Sequence, residues 1–426
     1  MSKGAVGDTK ESNSPRGSIW RSSRIVGGGV IAGLILLAVL VGAMRGWRLG
    51  SDPDRLFLQA DAAYKAGRLA EADTLLRQLE PLRPPNTVDR LLRAEVAHAV
   101  GDEDRALVEL AAIPDTDAGA PLARHRAGQI EIGRGRPRSA EALFLDAIRL
   151  LPDGIKPRRE LVYIYNIQRR QAELDATLNE LLRLEALDFP YILHWTKTRN
   201  TVWNPRGDLP ALERYVAADP DDRWSRLSLA EAMRRLDRLG EARRILAPLP
   251  DSDPDARAAR VLLAMDQGAL DAAGKLLDEG PADHPGLARL RGQLALRRHD
   301  GEAAVRAFRF AADADSTDRL AIHGLGTALS MLGRTDEARL YLESARRHDK
   351  LWALVSRAAT TEGEKDPAMP RELGLACAAI GREMEARAWL RLAVRRDPGD
   401  SEAQEALYRL EHRTADDRVV AGRRSP

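Results

Sequence analysis

Side chains able to attack, relay protons or hold a metal are few in this sequence, and they are scattered. The eight histidines (His98, His125, His194, His284, His299, His323, His348 and His412) stand singly, none at a metal-ligand spacing from carboxylates or from the one cysteine. Two Arg-His-Asp triplets, Arg298 to Asp300 and Arg347 to Asp349, fall at expected helix ends, where basic groups and capping acids are ordinary. Cys377 takes an inward helix position, as an inert core thiol does. A lone cysteine excludes an intrachain disulfide framework and a thiolate metal cage. It also excludes a lipoprotein anchor, which needs a cysteine just after an apolar leader. No phosphate-binding glycine loop and no serine elbow occurs. The sequence therefore predicts no catalytic residue, no cofactor and no metal site: a binding protein, not an enzyme.

Charge narrows the partner. Charged residues make up 31% of the 426, yet the net charge is only +2. Arginine far outnumbers lysine, which we read as codon bias rather than a nucleic-acid signal. The basic excess sits in the two tails and the body is slightly acidic, so a phosphate-tracking surface and a nucleic-acid partner are not expected.

What organises the chain is a period of 34 residues between Pro53 and Pro152. Ala60, Ala94 and Gly128 fall in line, as do Gly67, Gly101 and Gly135, then Ala72, Ala106 and Ala140, then Leu76, Leu110 and Phe144. Pro84 and Pro152 close the first and third copies. Small residues at fixed places mark close helix approach, and the glycine marks the turn between two helices. This pattern resembles the tetratricopeptide repeat (TPR), a helix–turn–helix unit with small residues at its eighth and twentieth positions. The resemblance implies an all-α, right-handed superhelical solenoid whose first helices build a concave wall along which ligands lie.

In chain order, residues 1–24 are expected to be a disordered basic tail. Ile25 to Met44 then runs without a charge, long enough as a helix to cross a bilayer, bracketed by Arg24 and Arg45 with Trp20 and Trp47 at interface depth. We read it as an uncleaved signal anchor. The alternative is a cleaved signal peptide, with Val41-Gly42-Ala43 as the cleavage site. Arg16, Arg21 and Arg24, helped by Lys3 and Lys10, favour a cytoplasmic N-terminus and repeats outside the cytoplasm, a single-pass arrangement at the cell membrane. Gly29 and Gly33 form a GxxxG pair through which two such helices could form a homo-oligomer.

Residues 45–52 read as a linker and 53–188 as a first TPR block, its fourth unit carrying Arg169 in place of the turn glycine. The period lapses over 189–222, an irregular helical break with Asn204-Pro205-Arg206-Gly207 as a turn. A second block covers 223–400, with an insertion near 353–366. Ser401 and Gln404 predict a capping box that opens a polar-faced capping helix over 401–413. The segment 414–426 is expected to be disordered.

Carrying the family's register across, the first helices of the opening four units present Asp61, Tyr64, Glu95, His98, His125, Gln129, Arg159, Tyr163 and Asn166 on the concave wall. The partner-binding set is Tyr64, His98, His125, Gln129, Arg159, Tyr163 and Asn166, a polar and aromatic mixture suited to a protein or an extended peptide. The family's peptide-carboxylate clamp is incomplete, because Arg159 and Asn166 lack the upstream lysine and asparagine. The break is a second candidate: Trp195 and Trp203 lead a cluster of rings that either fills a wedge between blocks or forms an exposed patch, and we favour the wedge.

The expected function is that of a bacterial, membrane-anchored TPR scaffold, holding another protein or a peptide at the cell envelope without catalysis. The alternatives are an exported soluble binding protein after signal cleavage, and an accessory subunit of an envelope enzyme complex.

Overall fold

The computed structural model describes residues 52–198, 203 and 205–412. The expected membrane span at 25–44, with its Gly29/Gly33 face, and both tails lie outside them. Among the described residues no helix is long and apolar enough to cross a membrane. These residues form helices and no strand. Contacts divide the chain into two compact units between Ile130 and Glu131.

The first unit holds α1 (Pro53–Lys65), α2 (Leu69–Leu79), α3 (Thr87–Ala99), α4 (Glu103–Ala111) and the start of α5 (Ala120–Gly133). Starts are set by short polar caps. Asp52 accepts from the Asp54 amide with Pro53 at the first position, and Asn86 and Asp89 form a reciprocal capping box. The turn between paired helices is a Schellman closure. Gly67, at φ 73°, takes the left-handed conformation, and the Arg68 amide donates to the Ala63 carbonyl at 2.9 Å. Gly101 and Asp102 repeat it against Ala97. The core gathers Phe57, Ala60, Ala63, Ala72, Leu76, Leu79, Leu92 and Val96. Ala60 and Ala72 have no exposed surface, as expected of positions where two helices nearly touch.

The second unit begins with the end of α5 and continues through α6 (Pro137–Leu150), α7 (Ile155–Ile167), α8 (Gln171–Arg183) and α9 (Phe189–Thr198). A 3₁₀ turn at Pro205–Gly207 leads to α10 (Leu209–Ala218). Paired helices then follow: α11 (Arg223–Arg235) with α12 (Leu239–Leu246), α13 (Pro254–Asp266) with α14 (Leu270–Asp278), and α15 (Pro285–Arg297) with α16 (Gly301–Ala314). Last come α17 (Arg319–Met331), α18 (Thr335–Ala358), the short α19 (Thr361–Lys365), α20 (Met369–Ala379), α21 (Glu383–Arg396) and α22 (Ser401–Glu411).

The same turn recurs here, but glycine is not obligatory. Gly135, Gly268, Gly333 and Gly381 have positive φ, and so do Arg169, Asp237 and His299 at the equivalent places. Packing elsewhere tolerates no Cβ at all. One added to Gly292 would stand 2.7 Å from the Phe308 ring, and one at Gly324 would stand 2.5 Å from its other side. Phe308 is thus held between two bare stretches of backbone.

Three details differ from the sequence reading. Asp400, not Ser401, caps α22: its carboxylate accepts from the Ala403 amide at 3.0 Å, while the Gln404 side chain donates to the Pro398 carbonyl. A carboxylate one residue earlier fits the cap geometry, so the Ser401/Gln404 box does not form. The Arg347 to Asp349 triplet is not at a helix end, because α18 continues to Ala358 with Leu351, Val355 and Ala358 buried along one face. The segment 353–366 accordingly holds the end of α18 and all of α19.

The second unit also folds back on itself. Its largest core cluster joins residues of α6 to α9, such as Phe144, Leu178 and Trp195, to Leu351, Val355, Leu373, Trp389 and Leu390 near the other end. Trp389 meets Phe189 edge to face at 5.1 Å between ring centroids. The Arg395 guanidinium donates to the Leu187 carbonyl at 2.9 Å.

Candidate partner-binding surface

The candidate wall residues fall in both units. On the first, α1, α3 and α5 carry Tyr64, Glu95 and Arg126 at intervals of 31 residues, and these meet in a ladder. The Tyr64 hydroxyl donates to Glu95 Oε2 over a long 3.5 Å, and Arg126 Nε lies 3.0 Å from Glu95 Oε1. Arg126 also donates to Gln129 Oε1 at 2.9 Å. Burial, then the Glu95 charge, raises the Tyr64 hydroxyl above its ordinary pKa. Asp61 is buried and paired with Lys65 at 2.5 Å. His98 is exposed at the end of α3, whereas His125 is buried in α5. This face therefore offers Tyr64 and Gln129 beside a carboxylate and a guanidinium that already neutralise one another, with His98 one helical turn beyond Glu95. Arg126 was absent from the residues read off the sequence, and its signal was the 31-residue interval itself.

In the second unit, α7 carries Arg159, Tyr163 and Asn166, all half-buried. Arg159 donates to the Ala186 carbonyl at 3.1 Å and stacks over the Tyr191 ring at 4.9 Å. The Tyr163 hydroxyl lies 2.9 Å from that of the buried Tyr215, and burial with Tyr163 beside it pushes the Tyr215 hydroxyl well up. Both side chains tie α7 to later elements, so their role in the fold precedes any role in binding. Nearby, Gln168 donates to Asp222 at 2.9 Å and to Ser225 at 3.1 Å, a buried link between the α7–α8 turn and the start of α11.

The aromatic break separates into two kinds of residue. Trp195 is fully buried, its Nε1 donating to Asp175 at 2.8 Å, and presents no surface to a partner. It fills the wedge between α8, α9 and the last repeats. Trp203 is half-buried: its Nε1 donates to Asp208 at 2.7 Å and its ring lies under Arg169 at 5.0 Å and Arg235 at 5.9 Å. His194 is held near pKa about 4 by burial, with Lys197 and Arg169 adding to the shift.

Neither Arg-His-Asp triplet assembles into a relay. Asp300 caps α16, and Asp349 pairs with Arg319 at 2.6 Å. The Cys377 thiol is buried and its pKa is pushed up by that burial. Among the described residues no group of three or more His, Cys, Asp or Glu side chains is arranged to hold a metal ion.

Antiparallel helix pairs, joined by one kind of turn and stacked on small residues, define a helical-repeat protein of the class that generally serves as an interaction scaffold. The family model for the tetratricopeptide repeat matches residues 209–265, from the start of α10 to the end of α13, so this stretch carries a tetratricopeptide repeat. Solved structures similar to it include a tetratricopeptide repeat protein from Parabacteroides merdae, 14% identical, covering 66% of this chain and 100% of that one at a TM-score of 0.31. Human IFIT1, solved as a dimer with m7Gppp-AAAA, is 13% identical and covers 92% of each chain at a TM-score of 0.35. Neither likeness transfers a ligand. No curated protein matches the sequence significantly.

Proposed function

We propose that this protein is a non-catalytic TPR scaffold held at a membrane by residues 25–44, and that it captures a protein or an extended peptide outside the cytoplasm. The observation that carries the binding reading is the first-helix face of the first unit. There Tyr64 and Gln129 flank the internally neutralised Glu95–Arg126 pair, and the exposed His98 follows Glu95 by one turn of the same helix. A neutral polar surface with one ring suits the backbone amides and mixed side chains of a peptide better than a phosphate chain, and rings supply contact area at low entropy cost. The uninterrupted apolar run between Arg24 and Arg45 supports the anchor. An anchored wall would raise the local concentration of whatever it holds.

A photo-crosslinking residue placed at His98 should capture a protein partner in cells, and one at the exposed Arg149 should not. Equal capture from both positions would remove the wall as the binding surface. Fractionation tests the anchor: a mature N-terminus at Met44, with the protein in the soluble fraction, would replace it by a signal peptide.

A further inference from the structure

Two neighbouring second helices are short, α12 with 8 residues and α14 with 9, while α16 has 14. In repeat register Ala273 and Leu277 of α14 correspond to Ala304 and Phe308 of α16. Helix α14 therefore stops about where Arg309 stands in α16, and the last turn of α16 has no counterpart in the preceding repeat. Phe310, one residue beyond, is 44% exposed. The chain between α14 and α15 crosses this gap with a small residue, Ala282. What results is an open groove of about 340 Å³ lined by four alanines (282, 288, 303 and 307), Phe310, Arg291 and Arg306. That is room for one bulky side chain and its flanking backbone, at the lower end of ligand clefts, which span roughly 300–1,000 Å³.

The groove is positive. Arg291 donates to the carbonyls of Leu277 at 2.7 Å and of Gly280 and Pro281 at 3.0 Å, which satisfies the end of α14 but leaves its charge without a carboxylate. Arg306 is exposed and makes no hydrogen bond or ion pair with a described residue. Arginines just outside the groove do find acids: Arg289 meets Asp318 at 3.2 Å and Arg309 meets Glu337 at 3.6 Å. No carboxylate lines the groove itself.

We propose that this groove docks a protein partner through an acidic–apolar segment. A bulky apolar side chain would sit on the alanines against Phe310, and a carboxylate one or two residues away would pair with Arg306. The charge of the lining selects an acidic segment over a basic one, and the apolar area selects against a plain acidic run. The site is built from α15, α16 and the loop before them, all in the second unit, so it stands or falls independently of the first-unit wall proposed above.

Fluorescence polarisation of the full chain with labelled peptides EDFLDE, KKFLKK and EDSSDE tests this. EDFLDE should bind at least tenfold more tightly than either of the others. Arg306→Glu should abolish or reverse the preference over KKFLKK, and Phe310→Ser should weaken EDFLDE tenfold or more. Both positions are exposed, and unchanged circular dichroism would show that the variants fold. No saturable binding of EDFLDE, or binding that neither substitution alters, overturns the proposal. So does a dimer in sedimentation that Phe310→Ser abolishes, which would make the occupant a second copy. Binding that appears only after residues 413–426 are removed would assign the groove to the chain's own tail and overturn it equally.

Discussion

Trp389 Nε1 donates a 2.8 Å hydrogen bond to Thr196 Oγ1, joining residues 193 positions apart and both without exposed surface. In a solenoid whose repeats touch only their neighbours, no such contact exists. Here the last repeats of the second unit cover α9, which would otherwise expose Phe189, Ile192 and Trp195.

This closure should be visible at a distance. Trp389→Ala removes a fully buried ring and the bond to Thr196, at a cost of about 3–5 kcal/mol. In hydrogen exchange, amides of residues 189–198 should lose protection along with those of α21. Loss confined to α21 would mean that α9 does not depend on the closure.

The packing positions predict a second result. Ala106 is fully buried where α4 meets its neighbours, and Ala106→Leu should cost about 1–3 kcal/mol in urea titration. Gly292→Ala should do likewise, because its Cβ would meet the Phe308 ring at 2.7 Å. The double variant Gly292→Ala, Phe308→Leu should recover part of the loss, and no recovery would point to a cause other than that ring.

The third concerns Tyr163 and Tyr215. Tyr163→Phe leaves the buried Tyr215 hydroxyl without this partner and should destabilise by about 1–3 kcal/mol. Any loss of partner capture in that variant must be read beside its stability, whereas Tyr64→Phe, on the long bond to Glu95, should leave stability nearly unchanged.

Stability should fall as the pH drops from about 6.5 towards 4. His194, held near about 4 when folded, stays neutral there while the unfolded chain takes up a proton, so acid favours unfolding. At most about 3 kcal/mol is at stake if the unfolded value is ordinary. Burial also lowers His348, with Arg382 and Arg319 adding to the shift, so it acts in the same direction. Denaturant titrations at pH 7 and pH 4.5 should show a smaller difference for His194→Gln than for the parent, and an equal difference would remove His194 as a contributor.

The helix pairs were legible because Gly67, Gly101 and Gly135 recur with the alanines that pack beside them. Arg169, Asp237 and His299 adopt the same left-handed turn without announcing it by type, since the surrounding Schellman bond imposes the conformation. For the candidate wall, residue types were readable but their mutual aim was not. Tyr64 and Glu95 could be placed on one face, yet their joint approach to Arg126 depends on the rotation between repeats. The meeting of Thr196 with Trp389 had no local signal at all. Periodic packing predicts nearest neighbours, and this contact depends on how small repeat-to-repeat rotations accumulate across the intervening helices.

The contact between α9 and α21 also bears on how the protein is made. At ribosomal rates of about 5–20 residues per second, Trp389 is added about 10–40 s after Thr196. During that interval the nascent chain has no cover for Phe189, Ile192 and Trp195, whereas the first unit already has its own core in hand. The first unit can mature as it emerges, but the middle of the chain must wait for its own end.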